Sequence, residues 1–171
     1  VSQTYELGYI LLNDEYILTF SQYSTDLFYY LYLDKSFNQM NDDWVSVTTT
    51  KNYGYYGYHQ IVELYGLKLL ICTLTGDKTS VECLSGSYNL SAFSFSILYP
   101  IKPILTDCPT SNSHESFSLY KLTEQVAIVG CGTSTFQFKK ITSSLTQEGE
   151  SFKLTSPDYV FIDFTVLDSN R

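Results

Sequence analysis

His59 and His114 are the only two histidines in 171 residues, and neither stands where imidazole chemistry needs it. His114 lies in the polar run Ser111-Asn112-Ser113-His114-Glu115-Ser116, and no Gly-x-Ser-x-Gly precedes a helix to form a nucleophile elbow. His59 opens an alternating stretch, where a strand-edge role is expected. A glycosidase instead needs two carboxyl groups facing across a cleft. Asp42-Asp43-Trp44 sets acid beside indole, which suits a sugar. Neighbours in a strand point to opposite faces, so these two acids are not expected to work as a pair. Oxygen donors gather at Asp34, Asn38, Asn41, Asp42 and Asp43, but their spacing matches no standard calcium loop and the sharp-turn glycine is missing. Gly130-Cys131-Gly132 follows an apolar strand yet lacks the lysine and further glycines of a phosphate loop. We therefore expect no catalytic residue, no cofactor and no metal site.

The cysteines carry clearer chemistry. Counting outward from a hairpin centred between Asp77 and Lys78 sets Cys72 opposite Cys83 on adjacent strands, within reach of a cross-strand bridge. Cys108 is then left for Cys131, although four cysteines allow three pairings. Such bridges imply an oxidising compartment. Zinc is not expected, since no Cys-x-x-Cys occurs and the histidines fall outside ligand spacing. Asn89-Leu90-Ser91 is a glycosylation sequon, and Ser85-Gly86-Ser87-Tyr88 before it reads as an exposed turn, so a glycan is expected on Asn89. Tyr53, Tyr55, Tyr56 and Tyr58 alternate with Gly54 and Gly57 in the strongest binding candidate. Tyrosine supplies rigid amphipathic area and glycine lets the loop shape itself. With Trp44 they could stack on a sugar ring or on another protein.

The elements that must position these residues are strands. A four-part pattern occurs three times: an alternating strand, a tight turn, a very apolar strand, then two more strands after polar loops. The expected strands are 5–11, 16–21, 27–33 and 44–49; then 59–64, 68–75, 80–84 and 93–99; then 116–122, 125–131, 135–141 and 151–154. The second strand of each unit reads as apolar on both faces, as in Leu69-Leu70-Ile71-Cys72. Pro100, Pro103 and Pro109 remove ladder donors, so the segment around them reads as a loop between units rather than a central strand. We expect one all-β domain over 1–171, built from four-stranded antiparallel units at 1–57, 58–114 and 115–157. A β-trefoil or a β-sandwich is the alternative. An extra C-terminal strand at 158–171 presents Val160, Ile162, Phe164 and Val166 on one apolar face. Such a strand needs an edge to pair with, in its own chain or in a neighbour.

Composition narrows the partners. Ten Lys and Arg against eighteen Asp and Glu give a net charge of −8. Phosphate backbones are held by clustered cations, so no nucleic acid is expected and anionic membranes are disfavoured. No apolar run approaches the roughly 20 residues of a spanning helix, so no membrane insertion is expected. The chain starts at Val1 without Met, which fits a processed chain or an excised fragment. The repeat spacing is about 55 residues, a little above that of propeller blades. The strand order, with Leu33-Asp34-Lys35-Ser36-Phe37-Asn38 and then Val45-Ser46-Val47-Thr48-Thr49-Thr50, resembles the β-propeller-type blade repeats of large extracellular protist and bacterial proteins. Phe37 stands where those blades usually carry Gly. The resemblance implies stacked blades and no functional residue. We expect a secreted or cell-surface protein without enzymatic activity, acting through self-assembly as a fibre or surface-layer subunit. Its partners would be its own copies or another extracellular protein. A carbohydrate-binding module with Tyr and Trp platforms, and so glycan partners, is the alternative.

Overall fold

A computed structural model describes residues 7–24, 27–48, 59–75, 79–108, 117–132 and 135–155. Tyr53, Tyr55, Tyr56, Tyr58, His114, Val160, Ile162, Phe164 and Val166 lie outside the described residues. All regular structure in the described residues is β. The first sheet holds β1 (Leu7–Leu12), β2 (Tyr16–Ser24), β3 (Leu27–Asp34) and β4 (Val45–Thr48). The second holds β5 (His59–Leu64), β6 (Lys68–Leu74), β7 (Val81–Asn89) and β8 (Ser94–Leu105). The third holds β9 (Phe117–Lys121), β10 (Val126–Gly132), β11 (Thr135–Thr142) and β12 (Gln147–Thr155). Each sheet is an open antiparallel meander in chain order. Among the described residues every strand pairing stays inside its own unit, unlike a trefoil barrel, and three sheets stack where a sandwich has two.

The three sheets share one register. Leu12 pairs with Tyr16 and Leu64 with Lys68 across three-residue turns, and the Leu122 amide donates to the Val126 carbonyl across the third. Tyr16, Lys68 and Val126 are therefore equivalent starting points. Counting from them, Leu18 and Phe20, Leu70 and Cys72, and Ile128 and Gly130 share what we call the forward face. Ile17 and Thr19, Leu69 and Ile71, and Ala127 and Val129 share the rear face, because strand side chains alternate.

Forward meets rear at both junctions. Between the first and second sheets, Leu12, Leu18, Phe20, Phe28, Tyr30 and Tyr32 pack on Leu69, Ile71, Leu84, Tyr88, Phe95 and Ile101. Between the second and third, Leu70, Leu74, Val81, Ile104 and Leu105 are among those that pack on Phe117, Leu119, Val129 and Ile141. Each such side chain contributes roughly 1.5–3 kcal/mol on burial. At the inner edges β1 packs on β5 and β5 on β9. Gly8 makes the first approach possible, since a Cβ there would sit 3.1 Å from Ile61 Cδ1. At the second, the Gln60 side chain bridges to β9: its amide donates to the Phe117 carbonyl (3.1 Å) and its oxygen accepts from the Leu119 amide.

Three sequence expectations are corrected. Of the three second strands, β6 is buried on both faces along most of its length, from Leu69 to Leu74. Ile17 and Thr19 on β2 and Val126 and Ile128 on β10 stay half-buried, because among the described residues only the middle sheet has a neighbouring sheet on each side. Ser85-Gly86-Ser87-Tyr88 is not an exposed turn but the middle of β7. Gly86 lies against Phe95, where a Cβ would fall 2.2 Å from the ring. β8 runs through Pro100 and Pro103. It does so as an edge strand with bulged pairing, where a missing ladder donor costs little.

Candidate functional site

The end of each third strand is where the sequence concentrates local polar chemistry. Asp34 Oδ1 accepts from the amides of Ser36 (2.8 Å) and Asn38 (2.9 Å), and Oδ2 accepts from Asn38 Nδ2 (2.8 Å). The Asn38 side chain and backbone hold the Asp34 carboxyl below the usual carboxylate range. Asn89 Oδ1 accepts from the amides of Ser91 (2.9 Å) and Ala92 (3.2 Å). Thr142 Oγ1 accepts from the Ser144 amide at 3.4 Å. One device, a short polar side chain capping the amide two residues on, thus ends β3, β7 and β11. A bulky residue with positive φ closes each turn: Phe37 (63°), Phe93 (45°) and Leu145 (57°). The Asp/Asn/Thr-x-Ser spacing at 34, 89 and 142 was the signal for this motif, and sequence reasoning missed it outside the first unit. Asn89 itself is exposed.

Beside the first two of these turns lies a pocket of about 540 Å³. Met40, Asn41, Asp42, Asp43 and Trp44 line it from the β3–β4 connection, Val45 and Ser46 from β4, and Ala92 and Phe93 from the β7–β8 turn. Asn41 welds its walls: Oδ1 accepts from the Tyr32 amide and Nδ2 donates to the Phe93 carbonyl, both at 2.9 Å. Tyr32 adds a hydroxyl bond to the Ser94 carbonyl at 2.9 Å, and burial pushes its phenol up. Phe93 is braced edge-on by Tyr16 and Tyr32. Trp44 is 37% exposed at the rim. The expectation that Asp42 and Asp43 face apart is corrected, because they lie in a bend before β4, not in a strand, and both line the pocket. The indole can stack on a sugar ring while the neighbouring carboxylates accept from its hydroxyls.

Of the five oxygen donors, Asp34 and Asn41 already serve the turn and the pocket wall. No group of three or more His, Cys, Asp or Glu that could hold a metal occurs among the described residues. His59 is away from the pocket, its Nε2 shielded from solvent and its ring edge-on to Phe28 at 5.4 Å. It opens the edge strand β5 as expected, but it is shielded because the first sheet roofs β5. Burial pushes its imidazole down to about 4.

Both expected disulfides form, Cys72–Cys83 as the hairpin count requires and Cys108–Cys131 as the remaining pair. Cys72 and Cys83 are register partners with Cα atoms 4.1 Å apart. Cys108 and Cys131, 5.7 Å apart, link the segment after β8 to β10 and so staple the second unit to the third. The first junction carries no such bridge and relies on aromatic packing, Phe20 and Tyr30 both meeting Phe95 edge-on. Among the described residues no helix is long and apolar enough to cross a membrane. No protein-family model matches the chain, and a comparison with the curated proteins finds no match.

Proposed function

We propose that this protein is a non-enzymatic extracellular structural or adhesion module that works by associating with its own copies or with another extracellular protein. The observation that carries this reading is the state of the two end sheets. Tyr9 and Leu11 stand 74% and 51% exposed on the outer face of the first, and Phe152 and Leu154 stand 62% and 47% exposed on the outer face of the third. Apolar patches at both ends of a stack mark interaction surfaces. The two disulfides are consistent with an oxidising extracellular setting, and the exposed Asn89 is available to a glycan. The resemblance to propeller-type blades supports the same reading, since an array leaves unpaired faces at its ends. Light scattering across a dilution series tests self-association: a mass that rises with concentration supports it, and a 19.5 kDa species at every concentration overturns it.

The pocket favours a second reading, carbohydrate binding at Trp44. Retention on a glycan array that Trp44→Ala abolishes would support it. No retention, or retention unchanged by the substitution, would remove it.

A further inference from the structure

Resting on the assembly reading above, the structure assigns the partner and the geometry: a second copy of this chain, docking its first sheet's rear face onto the third sheet's forward face. The argument comes from the two junctions already inside the molecule. Both are forward-on-rear, and both use equivalent register positions. On the rear side, Leu69 and Ile71 in the second unit and Ala127 and Val129 in the third are buried. Their first-unit equivalents, Ile17 and Thr19, are only half-buried. The position of Tyr9 is taken by Ile61 and Leu119 in the other units, and there it packs into a junction core.

The forward side repeats the pattern. Leu18 and Leu70 are fully buried, and their third-unit equivalent Ile128 is half-buried. On that same face Phe152 and Leu154 stay exposed at its β12 edge, while Phe138, which meets Phe152 at 6.1 Å, and Phe136 are already buried within the chain. Among the described residues, the exposed parts of these two faces are therefore unmatched halves of an interface that the chain forms twice within itself. Such halves are complementary to each other and not to themselves. The contact is heterologous, and it closes a ring or extends a filament according to its rotation.

Two variants of the full chain test this: Tyr9→Glu with Leu11→Glu, and Phe152→Glu with Leu154→Glu. Each is checked for wild-type circular dichroism and intact disulfides. Light scattering should find each variant monomeric alone. Their equimolar mixture should form a species of twice the 19.5 kDa chain mass and stop there, since its outer faces are both disabled. A variant that dimerises alone, or a mixture that stays monomeric while wild type associates, overturns the head-to-tail contact and leaves the assembly reading standing. A wild type that never associates removes the assembly reading itself.

A photo-crosslinking benzoylphenylalanine placed at Phe152 gives an answer if the charged variants misfold. With isotopically labelled and unlabelled copies mixed, adducts should join position 152 of one copy to 7–21 of the other. Adducts between two 135–155 segments, or to residues 156–171 of the same chain, overturn the proposal.

Discussion

Phe37 shows how a single residue can violate a local rule where the surroundings fix the backbone. Its φ of 63° lies in the left-handed region, and its ring is 71% exposed. That conformation costs an L-residue roughly 1–2 kcal/mol, and little packing repays it here. Phe37→Gly should therefore stabilise the protein by about 0.5–1 kcal/mol after glycine's own entropic cost, read as a higher urea midpoint with an unchanged slope. Asp34 is held by the same turn, so removing Asn38 should raise its carboxyl toward the ordinary value, visible by NMR titration. His59 gives the acid response. Its folded pKa of about 4 lies below the ordinary 6.5. The unfolded chain therefore takes up a proton first. Stability is full above pH 6.5 and falls as the pH drops toward 4, by at most about 3 kcal/mol. In His59→Phe that part of the pH dependence should be absent from urea midpoints measured between pH 7 and 4.

Two features decide the strength of the elements. At Gly86 a methyl would strike the Phe95 ring and come 2.8 Å from the Ser96 carbonyl. Gly86→Ala should push β8 off β7 and cost about 1–3 kcal/mol, measured by denaturant unfolding. The bridges should differ in a predictable direction. Cys108–Cys131 closes a separation of 23 residues and Cys72–Cys83 one of 11. A doubled loop adds about 0.6 kcal/mol in the chain-entropy model. Replacing the 108–131 pair with serine should thus lower the midpoint more than replacing the 72–83 pair, and it should loosen the second junction as well. Equal losses would show that the longer bridge does not restrain the junction.

At the scale of the molecule the repeated forward-on-rear packing is the dominant fact. Among the described residues it covers the middle sheet on both faces and leaves each outer sheet with exposed apolar side chains on its outer face, Tyr9 and Leu11 on the first and Phe152 and Leu154 on the third. In the proposed assembly, association through those faces would rest on apolar contact between chains of net charge −8. Added salt should screen that mutual repulsion and favour association, so the mass at fixed concentration should rise between low and physiological ionic strength. A fall would mean that ion pairs dominate the contact.

Strand periodicity, turn residues and cysteine spacing are local properties, and they were enough to place three four-stranded units and to pair Cys72 with Cys83. Hairpin register follows from counting along one short loop, so the sequence settles it alone. The 34–38 turn was legible for the same reason. Its counterparts at 89 and 142 were hidden because Thr replaces Asp in one and a longer third strand shifts the other. What tertiary structure decided is which faces are covered. Ile17, Leu69 and Ala127 read alike as apolar second-strand residues, yet only the last two meet a preceding sheet. Gly86 likewise reads as a turn residue until the Phe95 ring lies against it, and the shielding of His59 on the edge strand β5 comes from the first sheet above it. Burial depends on what arrives from far along the chain, and no local pattern encodes that. The pocket at Trp44 has the same origin, because its walls come from two units that only docking brings together.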